Sequence, residues 1–256
     1  MYFCAKENVT IMNRLLEICA DSIGSAQAAW RGGADRLELC QGLDEGGVTP
    51  SYGYVKAAVQ LPNIRKNVLI RPRGGDFLYS DDEFQTMLRD IEHARKAGAT
   101  GVVFGILTAD GKVDVERTRA LVEASGEMET TFHRAVDMTE DYIAAVEAVI
   151  EAGCKRILTS GGYDKAIEGK ENIARAVEIS RGRIEIMAGS GVVAANAKEL
   201  ADLGVDALHF SAKTMVAGGM KYRNPRISMG GTSAVDEFSI RTVDTAEVTE
   251  ILKLIR

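Results

Sequence analysis

The chain has 256 residues, with 31 basic and 37 acidic side chains, a formal net charge of -6, 46% hydrophobic residues and 27% charged residues. This is the balance of a soluble globular protein, and a chain of this size buries a full core without disulfides or structural metal. Mild acidity argues against nucleic acid and anionic membrane as main partners, and no apolar run approaches the roughly 20 residues of a membrane span.

Residues 1–14 carry Lys6, Glu7, Asn8 and Asn13 with no apolar segment, so they read as an N-terminal extension and not as a secretory signal. The four cysteines are too few for a disulfide scaffold and suit a reducing compartment, which makes the cytoplasm the expected location. From residue 15 to 256 a single domain is expected. Short apolar runs there alternate with amphipathic stretches. LLEIC (15–19), RLELC (36–40) and VLIR (68–71) predict the first three strands, separated by helices over 25–31 and 51–59. The helix predicted over 81–96 opens on Ser80 with Glu83 three residues later, a capping box. It repeats Phe84, Met87, Leu88 and Ile91 at helical spacing and stops at Gly98. GVVF (101–104), TTFH (130–133), RILT (156–159), RIEIM (183–187) and ALHFS (207–211) predict five further strands. Helices are expected over 115–124, 141–151, 172–180, 195–203 and 246–255.

Eight strands alternating with eight helices imply a parallel sheet. An internal echo favours closing it. The segments beginning at Gly33, Gly98, Gly153 and Gly204 each give a glycine stop, a short turn and then a strand, one for every second βα unit. That rhythm and length fit a (β/α)8 TIM barrel. A doubly wound fold would want a glycine-rich turn after the first strand, where this chain has Cys19-Ala20-Asp21-Ser22. Loops 41–50 and 72–80, and the polar segment 213–236, exceed what the scaffold needs, and in a barrel such loops build the functional mouth.

Residues two apart on a strand share a face. Glu17 then pairs with Cys19, Glu38 with Cys40, Leu69 with Arg71, Thr131 with His133, Glu185 with Met187 and His209 with Ser211. If these faces point inward, the mouth holds carboxylates, thiols, an arginine and two imidazoles. One reading is a salt-bridge network of Glu17, Glu38 and Arg71 that closes the barrel. Another uses Cys19 and Cys40 as soft ligands for Cu(I), with Met187 as a third if it faces the same cavity; tetrahedral zinc would want four ligands. Buried cysteines also often simply pack. An enzyme acting on a small anionic or phosphorylated substrate is the alternative function. Arg71, Arg73 and Gly189-Ser190-Gly191 would hold the anion, helped by 159–162, while His133 (oriented by Asp137), His209, Glu17 and Glu38 are the candidate acids and bases. A divalent metal on Glu17, Glu38 and the histidines is a variant of it. Lys213 is the only lysine near a strand end at the mouth, so a Schiff-base aldolase is not expected.

The stretches LLEICADS, GGADRLELCQGLDEGGVTPSYG, LIRPRGGDFLYS, TFHRAVDM, RILTSGG, IMAGSGV, LHFSAK and GMKYRNP resemble the CutC family, in order, from about residue 15 to 225. The resemblance implies a (β/α)8 barrel, a cytoplasmic homo-oligomer and a role in copper homeostasis. It places the family's proposed Cu(I) ligands on Cys19 and Cys40, and it brings no catalytic reaction with it.

Overall fold

A computed structural model describes residues 14–224, 226–227 and 236–256. Apart from Arg14, the expected extension lies outside them, as does Cys4. Eight parallel strands close into a barrel in chain order: β1 (Leu15–Ala20), β2 (Arg36–Leu39), β3 (Arg65–Leu69), β4 (Gly101–Phe104), β5 (Glu129–Phe132), β6 (Arg156–Thr159), β7 (Glu185–Gly189) and β8 (Ala207–Phe210). β8 returns to β1 with Glu17 beside His209 and Ile18 beside Phe210. The (β/α)8 barrel expected from the sequence is the observed fold.

Helices α1 (Ile23–Arg31), α2 (Tyr52–Ala58), α3 (Asp81–Ala97), α4 (Val115–Ser125), α5 (Tyr142–Glu151), α6 (Lys170–Ser180), α7 (Ala194–Asp202) and α8 (Thr245–Ile255) cover its outside. Their starts obey capping chemistry. Ser80 and Glu83 form the expected box on α3, and Ser22, Asp141 and Asp244 cap α1, α5 and α8. Outward strand residues such as Leu16, Ile18, Leu37, Leu39, Phe104, Ile157 and Ile186 are buried against the helices. The apolar core is therefore the shell between barrel and helices, and the barrel interior is free to carry polar groups. Among the described residues no helix is long and apolar enough to cross a membrane.

Two elements depart from expectation. β3 runs Arg65–Leu69, three residues before the apolar run, because Arg65, Lys66 and Asn67 are strand residues with polar employment. Lys66 Nζ donates to the Leu61 carbonyl and Asn67 Nδ2 donates to Glu17, so the apolar signal starts late. Arg71 consequently sits in the loop after the strand. The segment expected to be a polar loop from 213 opens as a strand, β9 (Lys213–Ala217), pairing antiparallel with β10 (Ser239–Val243) between β8 and α8. Arg241 of β10 ties this hairpin to Asp44 of the β2 loop at 2.7 Å.

Candidate functional site

A column of polar side chains runs through the barrel interior. Arg156 joins Glu129 (2.8 Å) to Glu185 (2.8 Å), and Arg36 joins Glu185 (2.6 Å) to Glu17 (3.2 Å). Glu17 also accepts from Asn67 at 2.8 Å and meets His209 Nδ1 at 2.9 Å. Arg36 and Glu17 are both fully buried, a placement that costs several kcal/mol per ion unless each charge is paired and hydrogen-bonded, as here. The network expected of Glu17, Glu38 and Arg71 is corrected accordingly. Arg36 takes the place given to Arg71, since Arg36 lies opposite Glu17 in the β1–β2 register while Arg71 is beyond the end of β3.

The upper end of the column is the floor of a cavity of about 560 Å³ lined by Cys19, Glu38, Leu69, Arg71, Phe77, His133, Leu158, Ser190–Val193, His209 and Lys213, among others. Cys19 Sγ is 3.2 Å from Cys40 Sγ, and Cys40 lies fully buried with Leu69 and Val103. His209 Nε2 is 3.7 Å from Glu38 Oε2, so the imidazole stands between two carboxylates. Donor atoms of Cys19, Glu38 and His209 all lie within 4.8 Å of one another. Cys40, Glu17 and His133 are outside that group, and Met187 is packed below it with Leu158, Ala207 and Leu15. Met187 is thus no third ligand, and the divalent set of Glu17, Glu38 and both histidines does not assemble.

Electrostatics follows the same geometry. Burial alone would raise the Glu17 pKa, but the His209 hydrogen bond and the charges of Arg36, His209 and Arg156 pull it down to about 2. Burial, opposed by His209, pushes Glu38 up. Burial disfavours the His209 cation, yet Glu38, the Cys19 hydrogen bond and Glu17 outweigh it and hold the ring charged. The hydrogen bond with Cys40, followed by burial, pushes the Cys19 thiol well above its usual range. This floor is a proton-bearing Cys19 thiol, in contact with Cys40, beside a carboxylate–imidazolium–carboxylate sandwich.

The opposite wall is cationic. Arg71 is 6% exposed, stacks 5.1 Å over Phe77, and donates to the carbonyls of Glu45, Gly47 and Gly75. Those bonds pin the long β2 and β3 loops. His133 Nδ1 accepts from the Ala135 N–H at 3.2 Å, and its Nε2 is buried without a partner. A Cβ on Gly105 would meet the ring at 2.6 Å, so glycine at the end of β4 makes its berth. Burial and the Arg71 charge hold the His133 pKa down to about 3, which keeps it neutral. Asp137 does not orient it. The Asp137 carboxylate instead binds Arg134, Thr159, Ser160 and the Gly162 N–H, so the 159–162 donors are taken from inside.

Other expected positions sort themselves by distance from the cavity. Arg73 is held by Glu83 (2.5 Å) and Asp76 (3.1 Å) and does not line it. Gly189 ends β7, where a Cβ would meet Leu158 at 2.6 Å and His209 at 3.2 Å; it clears room for the floor and offers nothing to the cavity wall. Ser190 and Gly191 do line it. The reading from sequence missed Arg36, Arg156 and Asn67. The period-two argument that found Cys40 and Glu38 reaches Arg36 one step earlier.

Fold and floor together define a class: a (β/α)8 barrel whose mouth gathers thiol, carboxylate and imidazole. The sequence model of the CutC family matches residues 14–214. A CutC family protein of Bacteroides thetaiotaomicron is 48% identical over 233 residues, covering 90% of this chain and 93% of its own. The human copper homeostasis protein cutC homolog is 44% identical over 235 residues, 91% of this chain and 86% of its own. A crystal structure of CutC from Streptococcus agalactiae superposes with a TM-score of 0.73 at 35% identity, over 77% of this chain and 97% of that one. This chain belongs to the CutC family.

Proposed function

We propose that the protein serves copper homeostasis by taking Cu(I) as cargo on Cys19 and Cys40. The observation that carries this reading is the 3.2 Å approach of the two Sγ atoms, with Cys19 on the floor of an open cavity and Cys40 fully buried beside it. Thiolates are soft donors that select Cu(I), and two of them satisfy a low-coordinate ion that a tetrahedral zinc site would not be content with. Met187 is unavailable, so the adjoining donors are Glu38 and His209. Both thiols must surrender protons to bind, and His209, charged and 11% exposed, offsets the negative charge this creates. A reducing setting such as the cytoplasm supports the role, because an oxidised pair has no thiolate to offer. The human relative's name supports copper homeostasis as the general role.

The test is an anaerobic titration of reduced protein with Cu(I) against a chromophoric chelator, beside Cys19→Ser/Cys40→Ser. Tight one-to-one binding that the double variant loses is expected. Binding that survives the double substitution would overturn the ligand assignment.

A further inference from the structure

The cavity has a second pole that two thiols do not need. Arg71 is a buried cation, and among the described residues no carboxylate reaches ion-pair distance of it. Buried charges are ordinarily paired, and three carbonyls hold this one's position without cancelling its charge. Lys213, at the start of β9, lines the same cavity and has no ion-pair partner among the described residues.

The third observation concerns a proton. His133 is 6% exposed, and its Nδ1 is the acceptor for the Ala135 N–H. In a neutral imidazole the other nitrogen then carries the hydrogen. Nε2 is therefore a buried N–H donor with no acceptor, on a residue that lines the cavity, and a donor left so is costly if nothing ever meets it. The fourth is the β7–α7 connection. Ser190 and Gly191 adopt left-handed conformations (φ 80° and 67°), and the turn carries Ser190–Val193 along the cavity. At the start of α7 the Val193 N–H is taken by Asn196 Oδ1 and the Asn196 N–H by the Val193 carbonyl, which leaves the N–H groups of Ala194 and Ala195 for a ligand.

We propose that Arg71, His133, Lys213 and the Ser190–Val193 turn form a binding site for the phosphoryl group of a small phosphate monoester. Arg71, Lys213 and His133 Nε2 are all donors, and no carboxylate pairs with the two cations among the described residues. Two uncompensated cations match the roughly −1.5 to −2 charge of a phosphate monoester better than the single charge of a carboxylate. Three oxygens can be met from three sides by the guanidinium side, the imidazole N–H and the helix start. The ester's remaining part would point to Glu38 and His209. The site uses neither cysteine.

The experiment is calorimetric titration of the reduced protein with inorganic phosphate, and with acetate as the carboxylate probe, at fixed ionic strength. Phosphate is expected to bind in the millimolar range or tighter, acetate at least about tenfold more weakly. Lys213→Met, exposed and so safe for folding, and His133→Phe should each weaken phosphate by about three- to tenfold, while Cys19→Ser/Cys40→Ser should leave it unchanged. Circular dichroism of the His133 variant guards against misfolding. No phosphate binding, or binding equal in all variants, would overturn the site. Acetate binding as tight as phosphate would overturn the phosphoryl assignment.

Discussion

Cys19 and Cys40 touch across neighbouring strands that do not align them. The β1–β2 register sets Cys19 beside Glu38, and Cys40 comes two residues later, with its N–H bonded to the Ala20 carbonyl. Both side chains still point into the barrel, so the 3.2 Å sulfur contact spans the slant of the sheet. Glu38 is thereby fixed against the thiol pair by the ladder itself, and a ligand held by the sulfurs has a carboxylate and His209 as built-in neighbours.

The arginine column below is the device that keeps Glu17 charged inside the barrel. Replacing Arg36 with Met should destabilise the protein by about 3 kcal/mol, since it takes a shared buried cation from two carboxylates, Glu17 and Glu185, and leaves them only Arg156, His209 and Asn67. Arg36→Met combined with Glu17→Gln should recover part of the loss. Urea unfolding of both variants checks this, and a strictly additive pair would show that the two are not coupled.

Gly105 is expected to tolerate no side chain. Alanine there puts a Cβ 2.6 Å from the His133 ring and 2.9 Å from Ala135 Cβ. Gly105→Ala should cost about 1–3 kcal/mol of stability through overpacking. It should also move the His133 resonances in an NMR spectrum, whereas Gly53→Ala, with open space around it, should do neither.

A neutral buried histidine makes stability fall in acid. His133 has a folded pKa of about 3, below the ordinary value of 6.5 that it regains on unfolding. Between those values the unfolded chain binds a proton that the folded protein refuses. Its contribution therefore vanishes above about pH 6.5, and stability is lost as pH falls from there toward 3, at up to about 1.4 kcal/mol per unit. His133→Phe should flatten the stability profile over that window. An unchanged slope would assign the acid sensitivity to other groups.

Much of the fold was legible because each local signal pointed the same way. The glycine stops at Gly33, Gly98, Gly153 and Gly204 open every second strand, and the capping box at Ser80 and Glu83 starts α3 where expected. Period-two alternation also brought Cys19, Glu38, Cys40 and His209 to one end of the barrel. It placed the start of β3 late, because Arg65, Lys66 and Asn67 carry polar side chains whose partners sequence does not display, yet it still set Leu69 and Arg71 on the cavity. It failed for Met187 because β7 sits lower in the barrel, with Met187 beside Ala207 and not beside His209. Gly189 resembled an anion-binding glycine but proves to be space for Leu158 and His209, a distinction that only packing reveals. The β9–β10 hairpin joins segments more than twenty residues apart, beyond the reach of any local pattern.

The most direct test of the copper reading is copper K-edge X-ray absorption on the reduced, Cu(I)-loaded protein. Two sulfur neighbours are predicted, lost together in Cys19→Ser/Cys40→Ser. A first shell of nitrogen and oxygen alone, or sulfur ligation that persists without Cys19 and Cys40, would contradict a dithiolate site.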